Sequence, residues 1–273
     1  MSSIIDGKEI AKEIETELTA KVAAMESAPR LSVVQIGDDP ASASYIKAKA
    51  NAASRVGIDL THHHLSVDTS VKELENLVDE LNKSEDSLII QLPIPKALES
   101  VLERIKPEND VDGFHSENLG KLVQGISGMV PCTPAGIIEL LYRSGNDPEG
   151  KHVVVVGRST IVGTPLSLLL SQKGVDATVT LCHSRTKSLQ EHCKQADILV
   201  AAVGKANMIT KEMVKPGAVI IDVGVNRTSE GLVGDVSYDV RDVASQITPV
   251  PGGVGPMTVV MLMSNTVKSA LEN

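Results

Sequence analysis

Val153-Val154-Val155-Val156-Gly157-Arg158-Ser159-Thr160-Ile161-Val162-Gly163 is the stretch that decides the fold. Four consecutive β-branched residues suit a strand buried on both faces, which is what a parallel sheet requires. Gly157 and Gly163 bracket a turn, and the apolar run through Leu170 continues as a helix. Strand, glycine-bearing turn and helix together present backbone N–H groups and a helix N-terminus to a pyrophosphate. The spacing is not Gly-x-Gly-x-x-Gly, so a tight βα turn that binds nothing also satisfies this stretch taken alone.

Working outward, residues 178–182 form the next strand, and its tip reads Cys182-His183-Ser184-Arg185-Thr186. In a dinucleotide fold this tip meets the adenosine ribose; a carboxylate there suits NAD and a guanidinium suits the 2′-phosphate of NADP. Here the tip holds no carboxylate, and Arg158 in the glycine turn can approach the same place. Guanidinium forks match phosphate geometry, so the pattern predicts NADP. Strands follow at 198–203 and 219–223, and a last helix at 259–271 comes after Pro249-Val250-Pro251-Gly252-Gly253-Val254-Gly255-Pro256. Upstream, strands at 31–36, 58–65 and 87–92 alternate with helices at 8–28, from Pro40 through 55, and at 71–81. That alternation also reads as a parallel sheet covered by helices. Residues 106–132 carry turn formers and little periodicity, a helix runs from Pro134 to Tyr142, and 144–150 is another break. The chain therefore reads as α/β, with a hinge region between two domains.

Composition narrows the function classes. At 42% hydrophobic and 22% charged the chain is an ordinary globular one. A net charge of −9 argues against a nucleic-acid partner, which would want a basic stripe. No apolar run is long enough for a membrane span, and the N-terminus lacks the basic and apolar regions of a signal peptide. Cys132, Cys182 and Cys193 form no Cys-x-x-Cys pair, which fits reduced thiols in a cytoplasm. His62-His63-His64 lies on a strand, where successive side chains alternate faces, so no three-ligand metal site is expected and the chain is read as metal-free.

A second feature stands in the N-terminal half. Asp39-Pro40 can open a helix, and Tyr45 and Lys49 are then one turn apart on one face. A flat ring beside a titratable amine suits a planar heterocycle and a proton transfer, although a solvated lysine beside a packing tyrosine is the commoner meaning of such a pair. With no Trp, one Phe and three Tyr, the core is aliphatic and Tyr45 belongs to no aromatic core. Lys47, two residues from Lys49, does not share its face.

Taken together, Ser42…Tyr45…Lys49, Gln91-Leu92-Pro93-Ile94-Pro95, Asp110-Val111-Asp112-Gly113-Phe114, Pro131-Cys132-Thr133-Pro134, Gly157-Arg158-Ser159…Ile161-Val162-Gly163 and Pro249 to Thr258 resemble the bifunctional methylenetetrahydrofolate dehydrogenase/cyclohydrolase family, in the family's order. The resemblance implies two αβα domains with a folate cleft between them: 1–118, with the C-terminal helix 257–273 packing back on it, and a Rossmann-like NADP-binding domain at 119–256. It implies NADP-linked oxidation of methylenetetrahydrofolate, hydrolysis of the methenyl product to 10-formyltetrahydrofolate, and a homodimer made through the cofactor domains.

Residue roles carry across the same motifs. Lys49 resembles the catalytic lysine that helps activate water, a task that needs a share of neutral amine. Gln91 resembles the glutamine that orients it, and Asp112 the carboxylate that anchors the pterin edge in a two-oxygen fork. The plain reading of Asp112-Gly113 is a turn. Tyr45 resembles the ring that stacks on folate, with Ser42, Gly252 and Gly253 also at the folate. Gly157, Arg158, Ser159, Ile161, Gly163, Ser184, Arg185, Cys132 and Thr133 are assigned to the cofactor. Cys132 has no base partner and is read as a wall residue.

The chain departs from the family at Asn109, where a Lys is frequent, and at Ser87, where a Gly often stands. Three rivals compete: a monofunctional dehydrogenase, which would have no use for Lys49 and Gln91; a non-catalytic NADP-binding module, which leaves the N-terminal motifs unexplained; and a dehydrogenase of small acids, which would need a catalytic His or Arg that the chain does not offer.

Overall fold

A computed structural model describes residues 2–84, 87–229 and 231–272. In chain order the elements are β1 (Ser3–Ile4), α1 (Gly7–Ala23), β2 (Arg30–Ile36), α2 (Pro40–Val56), β3 (Asp59–Leu65), α3 (Val71–Leu81) and β4 (Ser87–Ile90). A 3-10 segment (Lys96–Arg104) leads to α4 (Ser116–Gln124) and α5 (Cys132–Arg143). Then come β5 (His152–Val156), α6 (Gly163–Ser171), β6 (Thr178–Cys182), α7 (Leu189–Cys193), β7 (Ile198–Ala201) and β8 (Val219–Asp222). The chain ends with β9 (Asn226–Thr228), β10 (Gly231–Val233), β11 (Gln246–Ile247) and α8 (Val254–Glu272).

Two compact units result: Met1–Lys12 with Thr133–Thr258, and Glu13–Cys132 with Val259–Asn273. The division lies at 132/133, where the sequence reading placed it at 118/119, and the first twelve residues group with the C-terminal unit. The reason is β1, whose two residues pair with β11 at Ser3–Gln246 and Ile4–Ile247.

One unit carries a six-stranded sheet in the order β1-β11-β8-β7-β5-β6. Every neighbouring pair in it is parallel. β5 lies between β7 and β6, and Val153 to Val156 are fully buried, as their unbroken β-branched run demands. One face packs Val154, Val156, Leu199 and Ile220 with Cys193 and Ile209. The antiparallel β9–β10 hairpin stands apart from this sheet.

The other unit carries three parallel strands, β3-β2-β4. Val34, Leu88 and Ile90 pack there against Leu74 and Val78 of α3. α3 opens on a capping box, Ser70 with Glu73, which satisfies two backbone donors reciprocally. On β3, His62 and His64 share a face with their rings stacked 5.8 Å apart. His62 pairs with Gln35, His64 with the Gly37 carbonyl, and His63 turns to Ser32. Among the described residues no group of three His, Cys, Asp or Glu is arranged to hold a metal, and no helix is long and apolar enough to cross a membrane.

Three differences from the periodicity have local causes. α4 forms inside 106–132, where no helix was expected; it is capped by His115, whose Nδ1 accepts from the Glu117 N–H at 3.1 Å. α8 begins at Val254 rather than 259, with Pro256 in its first turn, where a missing N–H costs nothing. α1 stops at Ala23, short of the expected 28, and Pro29 precedes the next strand.

Candidate active site

In the three-stranded unit the site begins with the capping of α2. Asp39 accepts from the Ser42 N–H at 2.8 Å, Pro40 takes the first turn, and Gly57 closes the C-terminus in the left-handed region. The Ser42 hydroxyl donates to the same Asp39 oxygen at 2.9 Å, so Ser42 is buried at the helix start. These bonds hold Asp39 below the usual carboxylate range, first through the Ser42 N–H. The inward stripe of α2 is Ser42, Ile46, Lys49, Ala52, Ala53 and Val56. Lys49 therefore sits on a core-facing helix surface, 6% exposed. Tyr45, one turn back, is 40% exposed, and Lys47 points to solvent.

A buried amine needs a partner, and Lys49 Nζ donates to Gln91 Oε1 at 2.8 Å. Gln91 follows β4; its backbone N–H donates to Val34 and its Nε2 to the Leu92 carbonyl at 2.8 Å. Both ends of the amide are thus held, which orients the oxygen toward Lys49.

Asp112 lies in electrostatic reach of Lys49. Burial pushes its carboxyl above the ordinary value, the Lys49 charge opposes that rise, and Asp110 reinforces it. The turn around it is built by Asp110, which accepts from Gly113 N at 3.2 Å, His115 N at 2.7 Å and Asn118 Nδ2 at 3.2 Å. Gly113 has φ +75°, and a Cβ there would meet the Val130 carbonyl carbon at 2.6 Å. Only a glycine fits this position without moving the 130–131 backbone. The turn reading of Asp112-Gly113 thus describes the backbone, while the Asp112 carboxyl feels Lys49. Cys132, grouped with the cofactor residues by motif, is buried beside this turn: its thiol donates to the Val111 carbonyl at 3.3 Å. Burial, then the Asp112 charge, raises that thiol well above the ordinary value. Asn109 is buried, with its backbone carbonyl accepting from Leu88 N and its Nδ2 without a partner among the described residues.

The six-stranded unit builds a different place. Gly157 ends β5 at φ +123°, and a Cβ on it would lie 2.1 Å from the Ala202 carbonyl oxygen. A Cβ on Gly163 would lie 1.9 Å from the Gly157 oxygen. Both glycines are thus set by backbone passing close to backbone. Between them Ser159 Oγ accepts from Val162 N at 3.2 Å, and Thr164 Oγ1 donates to the Arg158 carbonyl at 3.2 Å. Arg158 and Ile161 face outward. Gly157 N donates to Cys182 O at 2.9 Å, which ties this turn to the tip of β6. At that tip Thr186 and His183 exchange bonds, leaving Ser184 and Arg185 exposed. Thr133 meets Thr258, hydroxyl to hydroxyl, at 2.9 Å. Gly252 and Gly253 are buried, and a Cβ on Gly253 would lie 2.7 Å from the Pro249 carbonyl oxygen and from Thr248 Cβ.

Two residues here escaped sequence reasoning. Asp235, fully buried, accepts from the N–H groups of Val203, Gly204 and Lys205 at 2.6, 2.9 and 2.8 Å, shaping the loop after β7. Asp222 ends β8 and accepts from Gly224, Asp235 and Val236. Burial pushes its carboxyl up to about 6 despite those three donors. Gly224 and Gly234 were the available signal, since a Cβ on either would overlap one of these carboxylates.

The comparisons follow the same two-part division. The tetrahydrofolate dehydrogenase/cyclohydrolase catalytic domain matches residues 5–112, and the NAD(P)-binding domain of that family matches residues 131–273. The bifunctional protein FolD of Brevibacillus brevis is 52% identical over 278 residues, covering 98% of this chain and 97% of the relative. The crystal structure of the bifunctional FolD methylenetetrahydrofolate dehydrogenase/cyclohydrolase from Campylobacter jejuni superposes with a TM-score of 0.96 at 41% identity, covering 100% of this chain and 99% of that one. The Trypanosoma brucei methylenetetrahydrofolate dehydrogenase-cyclohydrolase, complexed with NADP cofactor and inhibitor, gives a TM-score of 0.92 at 38% identity, again over 100% of this chain and 99% of the other. With both halves matched and half the residues shared across nearly the whole length, the chain belongs to the tetrahydrofolate dehydrogenase/cyclohydrolase family.

Proposed function

We propose that this protein oxidises 5,10-methylenetetrahydrofolate to the 5,10-methenyl cation with NADP, and hydrolyses that cation to 10-formyltetrahydrofolate. The family is bifunctional in name and both of its domains are matched. The observation that carries the reading is the bond from the buried Lys49 Nζ to Gln91 Oε1 at 2.8 Å, with Asp112 in electrostatic reach of the same amine.

Bound NADP supplies the hydride acceptor; the chain's residues position and stabilise. Gly157 and Gly163, which have no room for a Cβ, suit a pyrophosphate laid on the turn before α6. Arg158 on that turn, and Ser184 and Arg185 at the neighbouring tip of β6, are exposed and suit a 2′-phosphate. Ser159, Ile161 and Thr133 belong to the same proposed cofactor surface.

In the folate unit the Asp112 carboxyl accepts from the pterin edge and the exposed Tyr45 ring offers a stacking face. Oxidation removes a hydride from the methylene carbon and leaves a cation there. Hydrolysis adds water to that carbon, opens one C–N bond and releases one proton. Lys49 receives or relays the proton of the attacking water, and Gln91 holds its amine in line. Cys132, with its thiol pushed up by burial, is a neutral wall and no nucleophile.

A homodimer through the NADP-binding units and a cytoplasmic location complete the proposal, supported by the family resemblance and by three free, buried cysteines. A net charge of −9 speaks against nucleic acid as a partner.

Lys49→Met tests the central assignment. A spectrophotometric assay should show hydrolysis of added methenyltetrahydrofolate falling at least ~100-fold, the range of general acid–base contributions, with NADP-dependent oxidation affected less. Hydrolysis at the wild-type rate would remove Lys49 from the mechanism.

A further inference from the structure

Asn265 stands on α8, outside every motif discussed above and 154 residues from Val111, and is 7% exposed. Its Nδ2 donates to the Val111 carbonyl at 2.8 Å and to the Val130 carbonyl at 2.9 Å. Both amide hydrogens are therefore used, each on a carbonyl beside the Asp112 turn. The same nitrogen lies 3.6 Å from Cys132 Sγ, and that thiol donates to the Val111 carbonyl in turn. Val111 immediately precedes Asp112, and Val130 is the residue whose backbone lies against Gly113. Asn265 thus joins the two segments that bracket Asp112.

About one turn further along, the same face of α8 repeats the device. Lys268 Nζ donates to the Gly128 carbonyl at 2.8 Å, and Ser269 Oγ to the Glu108 carbonyl at 3.0 Å. Positions 265, 268 and 269 are neighbours on a helix surface. This face of α8 holds both arms of the loop through backbone carbonyls and the Cys132 sulfur, with no bond to the Asp112 carboxyl, which is left for a ligand.

We propose that Asn265 is a positioning residue of the folate site: by donating to Val111 and Val130 it fixes the Asp112 carboxylate beside Lys49, and so sets folate affinity. The inference rests on the reading of Asp112 as the pterin anchor. Removing the amide leaves the Val130 carbonyl without its donor and the Val111 carbonyl with only the weaker Cys132 thiol, and the loop moves to find others. A displacement of about 1 Å in a group that orients substrate is enough for large kinetic effects.

The test compares Asn265→Ala, Asn265→Asp, Asn265→Ser and Asp112→Asn with wild type, measuring kcat and the KM for methylenetetrahydrofolate and for NADP separately, alongside melting temperature. Asn265→Asp keeps the shape and turns both donations into repulsions. Asn265→Ser keeps one donor and is the mildest change. The Ala and Asp variants should raise the folate KM about tenfold or more, and Ser by less, with the NADP KM within about twofold of wild type. A folate KM unmoved in the folded variants, with kcat lowered only by the folded fraction, overturns the proposal. Should Asp112→Asn raise the folate KM while the Asn265 variants do not, the positioning role fails and the anchor reading stands. Should Asp112→Asn itself leave the folate KM unchanged, the anchor reading fails first.

Discussion

Asp222 shows how a single buried carboxylate leaves a measurable trace. Its carboxyl is pushed from 3.8 up to about 6, because desolvation outweighs the three backbone donors around it. The folded state therefore holds a proton that the unfolded state has already lost between those two values. Stability contributed by this group is complete below about pH 4, falls as pH rises, and is lost above about pH 6, by roughly 3 kcal/mol for a shift of this size. Asn at this position carries no charge at any pH, although it loses one acceptor for the Val236 N–H. The urea midpoints of Asp222→Asn and wild type should thus converge, or cross in the variant's favour, between pH 4 and pH 7. An identical gap at both pH values would contradict the assignment. Lys49 makes the opposite case at this scale. Its motif singled it out, but its partner Gln91 is 42 residues away in sequence and reaches it only through the fold.

Among the elements, the β5–turn–α6 unit was the most legible from local pattern, and it is also where a small change should be costly. Gly157→Ala places a methyl 2.1 Å from the Ala202 carbonyl, at φ +123°. The turn must move, and with it the N-terminus of α6. We expect the NADP KM to rise by at least ~10-fold, while hydrolysis of added methenyltetrahydrofolate, which consumes no NADP, stays within about twofold of wild type. Parallel steady-state assays of the two reactions separate these outcomes; an equal loss of both would mean general unfolding. α2 was legible through its Asp-Pro start, and its burial stripe put Lys49 inward and Lys47 outward, as a period of 3.6 requires. α4 was not legible, because its nine residues offer few apolar positions and its cap is a histidine.

At the scale of the whole molecule, the three cysteines test how tightly both units are packed. All three are free and buried. Burial raises each thiol, Cys193 to about 12 and Cys132 well above its ordinary value. An aromatic disulfide reagent should therefore titrate about zero thiols per native chain at pH 8 and about three in urea. A fast-reacting native thiol would show that one of these cores opens readily. The reducing agent present should likewise leave the melting temperature unchanged, since no disulfide joins any pair.

The chain's own alternation of strand and helix, its caps and its glycine turn were enough to specify α/β architecture, because each depends on residues within a few positions of one another. The same holds for the family motifs, which are contiguous and can be recognised without coordinates. Contacts across the fold could not be read that way. Asn265 reaches Val111 over 154 residues, and Asp235 reaches Val203 over 32. Neither sits in a periodic pattern. Each acquires its role when folding buries a carbonyl or an N–H that has no partner of its own, and the side chain that happens to be brought there must supply one. The alternation of strand and helix followed from near neighbours; the pairing of β1 with β11 and the bracing of Asp112 arose only once the chain had closed on itself, the bracing from the obligation to satisfy buried backbone polar groups.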